Sequence, residues 1–175
     1  MVARPDRAAL ESAVAGADAV LLGLGQRSSA DRGVTSRGTR AILQAMQATG
    51  VRRIVVVSAA PVGTVPSPGR PHPPRADPSD GFFMRTLLSP TIKAVLGDLY
   101  KDLALMEDAL RESGLDWTVV RPPQLTNTPL TGIYRTACGR NLRRGLRISR
   151  ADVAQLMLRT LAQPETIRNV VGVAY

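Results

Sequence analysis

Tyr100 is followed directly by Lys101, and the spacing of the two decides what chemistry they can do. In a Tyr-x-x-x-Lys arrangement the lysine shares a helix face with the tyrosine, lowers the phenol pKa and prepares it to take a proton from an alcohol. Here the fourth residue on is Ala104, and a side chain one residue on points about 100° round the helix. The pair is therefore not an alcohol-dehydrogenase or epimerase couple, and Tyr100 reads as a partly exposed structural tyrosine. Ser58 ends a β-branched run and can donate a hydrogen bond to a ligand, but a serine there equally caps local backbone. Gln124 follows Pro122 and Pro123; it can donate and accept, which suits a ligand amide as well as it suits solvent. His72 lies between prolines without an evident Asp or Ser beside it, and carries no catalytic expectation.

Gly23-Leu24-Gly25 follows an apolar run and resembles the opening of G-x-G-x-x-G, whose glycines let backbone approach a pyrophosphate. The third glycine is replaced by Ser28, and the polar stretch QRSSADRG stands where a helix should begin. A tight turn, beside a nucleotide or not, explains the same glycines. Cys138 and His72 are the only cysteine and histidine, so neither an intrachain disulfide nor a Cys/His metal site is available.

The formal charge of +9 is carried by arginine, since Lys93 and Lys101 are the only lysines. A guanidinium fork suits phosphate, yet there are only six aromatic residues to stack on bases and no reader motif. Nucleic acid is not expected as a partner, and the cluster Arg143, Arg144, Arg147 and Arg150 reads as a solvated face. No window holds 18 uninterrupted apolar residues, and the start MVARPDRAALES lacks a signal-peptide core, so a cytoplasmic protein with no membrane partner is expected.

The elements that must position these residues follow from hydrophobic periodicity. Asp6 caps a short helix from Arg7 to about Val14, and residues 17–22 form a strand expected to be covered on both faces. Ala41, Ile42, Ala45 and Met46 mark a helix ending at Gly50, and Ile54 to Val57 a second strand. Residues 61–80, with seven prolines, exclude a regular element and read as a surface excursion of the kind that forms lids. Helices are expected over Met84–Leu96 and Leu99–Glu112, the second with Leu103, Met106, Ala109 and Leu110 on its apolar stripe. Residues 117–120 form a third buried strand that the diproline stops. Ser149 and Asp152 make a capping box for a helix from Arg150 to Ala162, before a last strand over 170–174. Alternation of this kind gives one α/β domain with a parallel sheet, which binds ligands beyond the carboxyl ends of its strands. Those ends are 23–27, 58–61 and 121–127.

The blocks GADAVLLGLGQR (16–27), GTRAILQAM (38–46) and TGVRRIVVVS (49–58) resemble the atypical short-chain dehydrogenases. ESGLDWTVVRPPQLTN (112–127), PLTGIYR (129–135) and ISRADVA (148–154) are similar to the branch holding flavin reductases and biliverdin-IXβ reductases, with NmrA-like proteins as relatives. The resemblance covers nearly the whole chain, 1–175. It implies a Rossmann-like α/β fold and NADPH or NADH as cofactor, NADPH ahead of NADH. It further implies hydride transfer to a small redox acceptor stacked on the nicotinamide. Carried over by matching blocks, Gly23, Leu24, Gly25 and Arg27 line the nicotinamide side, Ser58 and Ala59 the strand end, and Pro122, Pro123, Gln124 and Leu125 the wall, with Ser58 and Gln124 as polar contacts to substrate. Ala59 stands where the branch has serine and Gln124 where it has histidine, which favours a flavin-like or quinone-like acceptor over biliverdin. The resemblance begins only near the end of the family's third strand, so a glycine-rich strand-loop-helix is expected to be lacking at the N-terminus. The sheet edge that this exposes is expected to be covered by a partner subunit, as in a homo-oligomer. The rival expectation is an NmrA-like nucleotide sensor without catalysis, and a third is a chain that binds no cofactor.

Overall fold

The structure, a computed structural model, describes residues 6–74 and 90–175. Asp6 accepts the Ala8 N–H at 3.1 Å and opens α1 (Arg7–Val14), and β1 (Ala19–Leu22) follows. A 3-10 turn at Ser29–Asp31 precedes α2 (Val34–Thr49), which ends at Gly50 in the left-handed conformation, φ 78, that glycine adopts without strain. Next come β2 (Arg53–Val57), a 3-10 turn (Ala60–Thr64), α3 (Pro90–Glu112) and β3 (Asp116–Arg121). Three short strands follow, β4 (Gln124–Thr126), β5 (Arg135–Cys138) and β6 (Arg147–Ser149). Then come α4 (Arg150–Thr160) and β7 (Asn169–Ala174).

The main sheet runs β1-β2-β3-β7-β5, parallel except for β5, which is antiparallel to β7; β4 and β6 pair in parallel as a separate two-stranded sheet. Alternating strand residues feed two cores. Ile54, Val56 and Val119 pack with Met46, Met106 and Leu110 on the side of α1, α2 and α3. Val55, Val120 and Val171 pack with Ile148, Val153 and Leu156 beneath α4. Helices on both faces of a mostly parallel sheet are the Rossmann-like α/β arrangement expected from the sequence.

Four expectations change. β1 is an edge strand with Leu21 41% exposed, so it is not covered on both faces. Helix α3 runs unbroken through Gly97 instead of dividing at 97–98. Packing against α2 outweighs the propensity cost of one helical glycine, about 1 kcal/mol; residues 84–89 of the expected first helix lie outside the described residues. The Pro-rich segment is not a free excursion where it is described: Ala60–Thr64 is helical, with Val62 and Gly63 buried, and Ser67 bridges to Arg70. Its remainder over 75–80 lies outside the described residues. Helix α4 closes at Thr160, and β4, β5 and β6 add strands at positions where periodicity signalled none.

Candidate functional site

Because β1, β2 and β3 are parallel neighbours, the three carboxyl ends named from sequence lie side by side. The chain leaves β1 through Gly23, Leu24 and Gly25. Leu24 turns onto α2, where a methyl group on Gly38 would collide with its Cδ2. Gly23 and Gly25 are exposed, and among the described residues no atom beyond their chain neighbours lies within 4 Å of where their Cβ atoms would be, so this backbone is open on that side. Beyond it, Gln26, Arg27, Ser28, Leu96, Asp98 and Leu99 line a cavity of 290 Å³. The buried Gln26 Oε1 has no hydrogen-bond partner among the described residues, and the carboxylate of Asp31 holds the N–H groups of Arg27 and Ser28 at 3.2 and 3.1 Å.

The helix after this turn does not present a free N-terminus. Gly33 occupies the N-cap position without a side chain to cap, and Asp102 of α3 accepts the N–H groups of Thr35 and Ser36 at 3.0 and 3.2 Å. A carboxylate from the neighbouring helix thus takes the place that an anion would fill at a phosphate-binding helix. The segment after Gly23 and Gly25 thus leads to a helix end that Asp102 already caps.

At the end of β2, Ser58 is buried and its Oγ donates to Glu107 Oε1 at 2.8 Å. Glu107, 1% exposed, also receives Arg121 Nε at 2.8 Å and Arg111 Nη2 at 2.7 Å. Burial pushes the Glu107 carboxyl up, but hydrogen bonds and charge from Arg121, with Ser58 and Arg111, outweigh it and hold the pKa below the ordinary range. The Ser58 hydroxyl, expected as a substrate donor, donates here to Glu107 and fastens the β2 end to α3. Next to Glu107, the buried Asp108 receives Ser67 Oγ and the Gly69 N–H, both at 3.0 Å, which ties the Pro-rich segment down on α3. Ala59 is half-buried and brings no polar group. The Ala60 N–H donates to Pro122 O at 2.9 Å, joining the β2 and β3 ends.

At the end of β3, Pro122 is buried, Pro123 half-buried and Gln124 exposed. Gln124 stands opposite Arg147 in the β4–β6 ladder, while Leu125 pairs with Ile148 and packs on the second core. Tyr100 is packed against the first core, and burial raises its phenol pKa, the opposite of an activated base. His72 is exposed.

Sequence reasoning passed over Glu107, Asp102 and Asp152. The first two had a signal: each is an acid beside the apolar stripe of α3, and Glu107 has Arg111 four residues on. Asp152 is read from the capping box only as a cap, accepting Ser149 Oγ at 2.8 Å. It is fully buried and also accepts the Gly132 N–H at 2.8 Å and the Tyr175 hydroxyl at 2.6 Å. Burial pushes its carboxyl up, and these donors, Tyr175 first, pull it well below the ordinary carboxylate range. Among the described residues no group of three His, Cys, Asp or Glu side chains is placed to hold a metal, and no helix is long and apolar enough to cross a membrane.

A mostly parallel sheet between helices, with an open glycine segment after β1 and a diproline after β3, is a Rossmann-like α/β domain. A family model described as NAD(P)H-binding matches residues 2–164, and the chain belongs to that family. It is 30% identical over 142 residues to UPF0659 protein C216.03 of Schizosaccharomyces pombe, a match covering 80% of this chain and 53% of that protein. The chain thus spans about half the length of this curated relative. Its fold is similar to a short-chain dehydrogenase/reductase (wide type) of Veillonella parvula solved with NADP. That match has a TM-score of 0.70 and 19% identity, over 99% of this chain and 70% of the other. ChuY, an anaerobilin reductase of Escherichia coli O157:H7, superposes with a TM-score of 0.68 and 21% identity, over 97% of this chain and 70% of its own. The family model makes NAD(P)H the cofactor of the family, and the two solved structures share this chain's fold.

The described residues at the β1 end offer features that would suit part of that cofactor. The backbone at Gly23 and Gly25 is open, and the buried Gln26 Oε1 has no hydrogen-bond partner among the described residues. They do not provide a pyrophosphate site at α2, because Asp102 already occupies that helix end.

Proposed function

We propose that the cleft at the carboxyl ends of β1, β2 and β3 is the reaction site of an NAD(P)H-dependent reductase whose acceptor is a flat flavin-like or quinone-like ring. The observation that carries this reading is the open backbone of Gly23 and Gly25 after β1 together with the exposed Gln124 after β3, at one carboxyl edge of the sheet where no activated tyrosine is found among the described residues. The reduced nicotinamide, when bound, supplies the hydride. The chain's own part is positioning. Gly23, Leu24, Gly25 and Arg27 border the nicotinamide side, and Pro122, Pro123 and Leu125 form a rigid wall that limits where a flat acceptor can lie. Ser58 is a positioning residue: through Glu107 it holds the β2 end level with the β3 end. Gln124 is the one polar side chain of the wall, able to donate to a ring carbonyl or accept from a ring N–H. With alanine at 59, the acceptor's proton comes from water. A flavin or quinone tolerates this better than a linear tetrapyrrole does.

The test is loss of NADPH or NADH absorbance on addition of FMN or menadione. Turnover is expected, and Gln124→Ala lowers kcat/KM by about tenfold, the worth of one hydrogen bond made to the reacting ring. Binding of cofactor without turnover of any acceptor overturns the reductase and supports a sensor. That second reading is favoured by Asp102, which removes one obvious anion site. A second copy covering the β1 edge belongs to this proposal, and sedimentation of the chain tests it.

A further inference from the structure

Between Asp116 and Asp152 the sequence contains no acidic residue, and the arginines of this stretch beyond β3 gather on and around the connection from β5 to β6. Arg140, Arg143, Arg144 and Arg147 are all exposed, and among the described residues none of their guanidinium groups reaches a carboxylate. The buried acids on the two faces of the sheet are engaged elsewhere: Glu107 on Arg121 and Arg111, Asp152 on neutral donors.

This connection is held against the sheet and not left loose in solvent. A Cβ on Gly172 of β7 would collide with the Arg140 carbonyl, and one on Gly145 would lie 2.5 Å from Ala174 Cβ, so two glycines allow the close approach. Asn141, buried, donates from Nδ2 to Ala60 O at 2.9 Å, which brings the connection to the β2 end of the cleft. At its other end Arg147 lies in register with Gln124, with both exposed, while their neighbours Ile148 and Leu125 face the core. Arg144 has φ 57, a left-handed backbone that glycine or asparagine takes more readily, yet the position holds arginine. Like charges without a carboxylate partner on an ordered connection raise the local positive potential beside Gln124, where Arg147 stands, and the guanidinium fork matches carboxylate and phosphate oxygens.

We propose that Arg143, Arg144 and Arg147 bind an anionic substituent, a carboxylate or phosphate, carried by the acceptor whose ring lies in the adjoining cleft. This assignment rests on the reductase reading for the identity of the ligand, and Gln124 and Arg147 then hold the ring and its charged substituent side by side.

The test compares acceptors that differ only in charge, by equilibrium binding without cofactor: FMN against riboflavin, and a naphthoquinone sulfonate against menadione. The wild-type chain is expected to bind the anionic member of each pair about tenfold more tightly, the worth of one charge-assisted hydrogen bond. Added salt should erode only that preference. Combined Arg143→Gln, Arg144→Gln and Arg147→Gln substitution abolishes the preference and leaves binding of the neutral member and the thermal midpoint unchanged. Equal binding within both pairs, no binding in either, or a preference that survives the triple substitution overturns the proposal. So does a triple variant that loses only NADPH-over-NADH discrimination, which assigns the arginines to the cofactor's phosphate. Binding of duplex DNA that depends on these arginines, without charge preference among acceptors, also overturns it. A charge preference in a chain that never oxidises NADPH keeps the anion site and removes the reductase; turnover without preference does the reverse.

Discussion

On the α3 side of the sheet, Glu107 meets two guanidinium groups and the Ser58 hydroxyl. On the α4 side, the equally buried Asp152 is hydrogen-bonded to no cation among the described residues; its oxygens accept from Thr131, Gly132, Ser149 and Tyr175. The difference follows from what each one joins. Glu107 fastens the ends of two strands to a helix, and charge supplies strength across elements that meet at varied angles. Asp152 gathers a loop, a helix start and the last residue of the sequence, and neutral donors fix direction. Both carboxylates end below their ordinary pKa, one through cations and one through dipoles.

Substitution separates the two. Glu107→Gln leaves Arg121 buried without a counter-charge and is expected to cost about 3–5 kcal/mol of stability, read from denaturant midpoints. Asp152→Asn keeps an acceptor but turns an amide against several donors, for about 2–3 kcal/mol. Hydrogen exchange should rise around residues 131–132 and the C-terminal strand while β2 and β3 stay protected. A larger loss from Asp152→Asn than from Glu107→Gln breaks the comparison.

Acid sharpens it. Each depressed carboxyl contributes stability that is complete above its unfolded pKa, near 4, and that is lost as pH falls through that value toward the lower folded one. The thermal midpoint of the wild type should therefore fall below about pH 5, and each single substitution should flatten that fall. A midpoint that drops only on the alkaline side contradicts the assignment. The smallest effect is expected of Asp102→Ala, about 1 kcal/mol, since it removes a cap from α2 without stranding a charge. Its loss should free the first N–H groups of α2 to exchange.

The strands β1, β2, β3 and β7 and the helices α1, α2 and α4 were legible because apolar periodicity is local. Leu103, Met106 and Leu110 mark the buried face of α3 without reference to anything outside it. The three-residue strands β4 and β6 left no such trace, since no period is visible in so short a run, and β5 has mostly exposed residues. The strand-end positions of the candidate site were legible through the rule that parallel sheets bind at their carboxyl edge. The direction of each side chain there was not. Ser58 reads as a donor to a ligand until Glu107, 49 residues away, claims it.

The sequence by itself determined that this is an α/β chain with its glycine turn, its serine and its diproline at three strand ends, because those follow from residue type and spacing. Tertiary structure decided which of them face the cleft. It turned Ser58 inward, closed the start of α2 with an acid 67 residues distant, and set an arginine beside Gln124. Such partners are fixed by sheet order and by which helix lies across which strand, and those are long-range choices that no local pattern contains.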